Sequence, residues 1–367
     1  GVCSSFHNPL QTLHTLRRLT SPNMANCTSD LHLPAFFFHG LTGDPSNAVK
    51  YEQAFAVNDR ALVALSFAPG AESVAALPTQ IPKAIAQIRE VVASDERFQN
   101  GYVFIGHSLG GIMARSVIEE MDDHQVHTLI SLAAPQSGLF YGPQPEDTIP
   151  MQVLCTMANY ELQMFPTDIF DFATYQDDSN PAGLRGQAQR AFAELSVNKP
   201  ELHEQFAFVN LGRFPANEVL LESNPFLPAI NNVNKVDADD NQALKDAERR
   251  KQNFLKLHAA HFFGSPEDGA AAPWTTSFFG RYSYVDSLEE IETKFEDLTI
   301  VGGRDTEEFK NDTFGLKTLD ERGGLFFHEV ADVPHTCWIT DWPLLDDPTK
   351  TCAFQVIFDK YILPALP

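Results

Sequence analysis

Gly106-His107-Ser108-Leu109-Gly110 fits the pattern G-x-S-x-G, in which a serine sits on a tight turn between a strand and a helix. A buried-looking strand, residues 102–105, runs into it, and helical spacing of apolar residues starts at Leu109. The flanking glycines are a steric need, because a Cβ would collide inside so tight a turn. The result is a hydroxyl held beside a helix N-terminus, where it can act as a nucleophile. Such a serine needs a base, and the base needs an orienting carboxylate. With this motif the acid follows the serine in the chain and the histidine comes last, after the final strand. Residues 325–330 read as that strand and Val333-Pro334-His335-Thr336 follows it, so His335 is the expected base. His328 lies within the strand and reads as structural, while His258 and His261 precede both acid candidates. The acid is Asp268, in Pro266-Glu267-Asp268-Gly269, or Asp305, after the strand-like residues 298–301. Chain topology favours Asp268 but leaves both open. An oxyanion needs two backbone N–H groups. Leu109, just after the serine, is one expected donor. Leu41, in Phe38-His39-Gly40-Leu41-Thr42-Gly43, is the other, with His39 reading as a residue that fixes the loop.

These residues require a sheet whose strand ends lie side by side. Short apolar runs at 35–38, 61–68, 102–105 and 126–133 read as buried strands, and residues 72–93 and 109–121 carry helical spacing. Alternation of strand and helix implies right-handed crossovers and a mostly parallel sheet. Between residues 137 and about 250 the alternation weakens. Strand-like runs return at 260–263, 296–302 and 325–330, and residues 352–363 suit a terminal helix. The expected organisation is an N-terminal extension over residues 1–30, then one domain over 31–367 with a cap insertion at about 137–250. Of the 29 phenylalanines, pairs such as Phe262-Phe263 and Phe326-Phe327 could line an acyl groove, but core packing accounts for most of them.

Composition narrows the function. The 367 residues carry 26 Lys and Arg against 49 Asp and Glu, a net charge of −23. So acidic a surface repels phosphate backbones, which argues against nucleic acid as a partner. No uncharged apolar run approaches the roughly 18 residues of a membrane helix, so the expectation is a soluble protein without a transmembrane segment. The five cysteines, Cys3, Cys27, Cys155, Cys337 and Cys352, include no CxxC pair, so no metal site is expected. Sequons stand at Asn26 and Asn311 as glycosylation candidates.

Beyond the short motif, longer blocks stand out: LISLAAPQSGLFYGP at 129–143, SNPFLPAIN at 223–231, SPEDGAAAPWTTSFFGRY at 265–282, TFGLKTLDERGG at 313–324 and VPHTCW at 333–338. With these the chain, from about Phe36 onward, resembles the palmitoyl-protein thioesterase family, lysosomal α/β-hydrolases that cleave fatty-acyl thioesters. The blocks look most similar to its second branch, which favours acyl-CoA and small thioesters. The resemblance implies an α/β-hydrolase fold and a Ser108–His335–Asp268 triad, and so decides for Asp268. It implies no cofactor, and a lysosomal or secreted location reached through a signal peptide removed before Gly1. It also implies a Cys337–Cys352 disulfide, because the second branch closes a similar loop. The same branch pairs a cysteine near 155 with one shortly after it. Here none follows until Cys337, which leaves the redox state of Cys155 open, with that of Cys3 and Cys27. A carboxylester lipase of the same fold, and a non-enzymatic lipid carrier, are the competing functions.

Overall fold

The structure, a computed structural model, describes residues 31–157, 160–176, 179 and 184–367. The apolar runs become strands β1 (Ala35–Phe38), β2 (Leu62–Ala64), β3 (Tyr102–His107), β4 (Val126–Leu132) and β5 (Ala259–Gly264). Three shorter or later strands follow: β6 (Arg281–Tyr282), β7 (Ile300–Val301) and β8 (Leu325–Glu329). Six of them form one parallel sheet in the order β2-β1-β3-β4-β5-β8. This is the α/β-hydrolase architecture, with helices α1 (Val49–Val57), α2 (Leu77–Ser94) and α3 (Leu109–Glu120) covering the faces.

Alternate side chains of each strand enter opposite cores. Phe36, Phe38, Phe104, Leu129 and Phe262 join the core shared with α2 and α3. Phe37, Val103, Ile105, Ile130 and Phe263 join the other, with Tyr51 of α1, Trp338 and the C-terminal segment. The phenylalanine pairs are split in this way: Phe262 and Phe263 are wholly buried on opposite faces, whereas Phe326 is 39% exposed.

Strand order reverses at β1, which has β2 on one side and β3 on the other. Ligand sites in open α/β sheets form outside the carboxyl ends of the strands at such a reversal. Here the loop after β1 and the turn after β3 open side by side, and these are the two segments expected to supply oxyanion donors.

Three expectations need correction. Residues 296–302 do not add a strand to the sheet: only Ile300 and Val301 are extended, and they pair antiparallel with β6. β5 pairs directly with β8, which leaves no place between them. α2 starts at Leu77 rather than residue 72, because Gly70–Val74 forms a separate 3-10 turn and Ala75 bridges to Phe206. The C-terminal helix is broken, passing from an α turn (Phe354–Ile357) to a π turn (Phe358–Ile362) and a 3-10 turn ending beside Pro364.

The chain between β4 and β5 carries α4 (Thr148–Thr156), α5 (Arg185–Asn198) and several shorter helices. It has an aromatic cluster of its own, with Phe165, Phe172, Phe192 and Phe208 packed together. Among the described residues no helix is long and apolar enough to cross a membrane.

Candidate active site

β3 delivers Ser108 into a left-handed backbone conformation, φ 56° and ψ −130°, directly before α3. The turn is possible only because its neighbours lack side chains. A Cβ on Gly106 would lie 2.3 Å from Gly110 O, and one on Gly110 would lie 2.1 Å from Phe38 O. The Ser108 N–H is tied to Leu132 O of β4 at 2.8 Å. Its side chain is partly exposed, and its Oγ has no hydrogen-bond partner among the described residues.

The loops after β5 and β8 are locked together. Ser265 Oγ accepts from the Val333 amide at 3.2 Å and Glu267 accepts from the Asp332 amide at 2.9 Å. The His335 amide donates to Asp268 O at 2.8 Å. This frame brings His335 Nδ1 to 3.0 and 2.9 Å from the two oxygens of Asp268. Asp268 Oδ1 also accepts from the Ala270 and Ala271 amides at 3.0 and 2.6 Å. The Asp268 side chain is 2% exposed and that of His335 18%, so the carboxylate is shielded while the imidazole reaches the surface. Asp305 is exposed and lies in the loop after β7, outside the sheet, so it does not join His335.

His107, which the sequence reading passed over, joins the two halves of the site. Its Nε2 is 2.8 Å from His335 O, and the two rings lie 4.8 Å apart. A carbonyl only accepts, so this nitrogen donates. Burial pushes the His107 pKa down to about 3, with the His335 charge adding to the effect, so the ring stays neutral. Its place inside the motif, one residue before Ser108, was the only available signal.

The Leu41 and Leu109 amides both lack an acceptor among the described residues. For Leu109 this follows from its place at the first turn of α3. Leu41 follows Gly40, whose Cα abuts Ser108: a Cβ there would sit 3.1 Å from Ser108 Cβ and 3.7 Å from Ser108 Oγ. His39 is fully buried, and that burial holds its pKa below the ordinary histidine value.

Cys337 and Cys352 are joined by a disulfide that closes the segment after His335. Inside this segment Trp338 is wholly buried, and its carbonyl accepts from Tyr51 Oη at 2.8 Å. Cys155 is a buried free thiol donating to Phe172 O. Asn311 is exposed at the end of a short helix. Cys3, Cys27 and Asn26 lie outside the described residues. His328 and His261 bond each other at 2.9 Å across β8 and β5, away from the Ser108 turn. Among the described residues no cluster of three His, Cys, Asp or Glu side chains could hold a metal ion.

A family model described as palmitoyl protein thioesterase matches residues 34–335. The bovine (Bos taurus) lysosomal thioesterase PPT2 is 28% identical over 310 residues, spanning 83% of this chain and 82% of its own length. Palmitoyl-protein thioesterase 3 of Dictyostelium discoideum is 23% identical over 313 residues, 85% of this chain and 87% of its own. Among solved structures, the mature Bacillus licheniformis lipase BlEst2 has 13% identity and a TM-score of 0.40, covering 91% of this chain and 92% of that one.

Proposed function

The chain belongs to the palmitoyl protein thioesterase family, and from that premise we propose that it is a lysosomal serine hydrolase of fatty-acyl thioesters. In this reading Ser108 Oγ adds to the thioester carbonyl carbon and His335 Nε2 takes its proton. The carbonyl oxygen becomes an oxyanion facing the Leu41 and Leu109 amides. As the oxyanion collapses the C–S bond breaks, and the leaving sulfur takes the proton held on His335, which returns the imidazole to its neutral form. Water then gives a proton to His335 and adds to the acyl-enzyme. The bond to Ser108 Oγ then breaks as His335 gives that proton to Oγ, and the fatty acid and the free serine result. Asp268 holds the Nδ1–H tautomer of His335 throughout, so that Nε2 is the bare nitrogen when Ser108 reacts.

The observation that carries this reading is the His335–Asp268 pair, held by the loops after β8 and β5 and joined through His107 to the strained Ser108 turn. Ser108 Oγ makes no hydrogen bond to His335 among the described residues; contacts between a nucleophile and its base commonly tighten only in the Michaelis complex. Chain 137–250 is proposed as the cap that decides what approaches Ser108, and the exposed Asn311 as a glycan acceptor.

A fluorophosphonate probe tests the assignment. It should label Ser108 alone, and Ser108→Ala should lose roughly 10³-fold or more in kcat for thiol release from palmitoyl-CoA. Near-normal turnover by that variant would sink the mechanism. Matched thioester and oxo-ester substrates, assayed in parallel, separate a thioesterase from a carboxylesterase.

A further inference from the structure

The loop after β1 is braced by contacts that no step of the proposed reaction uses. His39 is wholly buried, and its ring lies flat against Phe67 with centroids 4.6 Å apart. Its Nδ1 is 3.0 Å from the oxygen of Gly40. Because a carbonyl oxygen can only accept, Nδ1 carries the proton and Nε2 is the bare nitrogen. Nε2 is buried without a hydrogen-bond partner among the described residues. A side chain kept for packing alone would not need a polar atom left orphaned in this way, whereas one kept for its Nδ1–H would tolerate it.

Gly40 O also accepts from the Gly43 amide at 3.1 Å. The Gly40 carbonyl and the Leu41 N–H belong to one planar trans peptide, so they point in opposite directions. Anchoring the oxygen at His39 and Gly43 aims the Leu41 N–H the other way. The far end of the loop has a separate brace. The Thr42 amide donates to Ser73 Oγ at 2.6 Å, and that hydroxyl donates to Gly70 O at 2.6 Å. At the near end His39 supplies the only side-chain contact to this carbonyl among the described residues. Without it the Gly43 amide alone holds the carbonyl, at 3.1 Å, and rotation of the peptide, which would put a carbonyl oxygen where negative charge develops, becomes easier.

We propose that His39 is a positioning residue of the oxyanion site, its Nδ1–H gripping the Gly40 carbonyl and so holding the Leu41 N–H toward the oxygen that gains charge. This rests on the reading of Leu41 as an oxyanion donor. His39 touches neither the substrate nor the reacting atoms and acts through the peptide it orients.

Two variants separate orientation from packing. His39→Phe keeps a flat ring against Phe67 and removes the donor. His39→Asn returns an amide N–H at the branch where Nδ1 sits. With palmitoyl-CoA as substrate, His39→Phe should lose about 10- to 100-fold in kcat with KM little changed. Inhibition by a palmityl trifluoromethyl ketone, which adds Ser108 Oγ to form a charged hemiketal, should weaken in step with kcat/KM. His39→Asn should recover kcat to within about threefold of the parent. A loss confined to thermal stability or to the fraction of active sites, with kcat per fluorophosphonate-titrated site unchanged, would overturn the role of His39 and leave the thioesterase reading intact. Labelling of the parent enzyme at a serine other than Ser108 would overturn that reading, and this proposal with it. Imidazole nitrogen NMR on the parent protein gives a test that needs no variant: a His39 protonated at Nε2 rather than Nδ1 refutes the proposal.

Discussion

Replacing Asp268 by asparagine changes a single atom, and the surrounding hydrogen bonds dictate where that atom goes. Asp268 Oδ1 accepts from two backbone amides, Ala270 at 3.0 Å and Ala271 at 2.6 Å. A donor cannot face those amides, so the oxygen of the new side chain must stay there. The NH₂ group is then forced into the place of Oδ2, 2.9 Å from His335 Nδ1. Nδ1 then faces an NH₂ donor at 2.9 Å and, at 3.0 Å, an Oδ1 already shared with two amides, which favours the tautomer with Nδ1 as acceptor and the ring proton on Nε2. An imidazole in that tautomer has no lone pair for the Ser108 proton. The residues are nearly equal in volume and the site is buried, so the fold should survive while the chemistry stops. The expected loss is about 10⁴-fold in kcat, the size known for the same tautomer error in a serine protease triad. Asp305→Asn, at an exposed turn, should stay within about twofold, as surface substitutions usually do. The assay is thiol release from palmitoyl-CoA. Circular dichroism verifies the fold, and imidazole nitrogen NMR reads the tautomer of His335. An Asp268→Asn enzyme within tenfold of the parent, or a larger loss in Asp305→Asn, would refute the reasoning.

The other expectations concern stability and substrate. Removing the Cys337–Cys352 bridge by Cys352→Ala opens a loop of 15 residues in sequence separation, which should cost about 3 kcal/mol. An unchanged denaturant midpoint would show that the link constrains nothing. Burial raises the pKa of Asp147 to about 7, against opposing hydrogen bonds from Tyr282 and Gly142. Its folded pKa lies above the unfolded value, so the folded chain holds the extra proton between about pH 4 and 7, and this residue's contribution to stability falls as pH rises through that window. Asp147→Asn should therefore gain stability relative to the parent by up to about 1.4 kcal/mol per pH unit over that range. A difference between the two proteins that does not vary from pH 4 to 7.5 in thermal melts would contradict it. Finally, kcat/KM should favour palmitoyl-CoA over a palmitoylated folded protein, because the proposed cap over 137–250 would keep a folded surface from bringing its thioester within about 3–3.5 Å of Ser108. The preference should be clearer at pH 5, near the isoelectric point of 4.8, where the repulsion between the protein and the CoA phosphates fades. Higher values for the protein substrate at both pH 5 and pH 7 would reverse this assignment.

Local sterics explain why the Ser108 turn, the proposed nucleophile's place, could be read directly from the chain. A serine between glycines, after an apolar strand and before a helical pattern, is a constraint spanning five residues, and Gly106 and Gly110 leave no room for anything else. The order of strands and helices likewise announced a parallel sheet, because each crossover is local and right-handed. His335 followed from its position after the last strand. The acid did not. Asp268 and Asp305 both stand at turns after apolar runs, and nothing within either run says which joins the sheet. That was decided by β5 pairing with β8, which puts Asp268 beside a histidine 67 residues away and leaves Ile300–Val301 in a separate ribbon. The contacts of His107 with the His335 carbonyl, 228 residues on, and of His39 with the peptide next to Ser108 belong to the same class. Apolar periodicity reports which face of an element is buried. It carries no record of which distant backbone atom a buried polar group meets, and in this site those meetings set the tautomers and aim the amides.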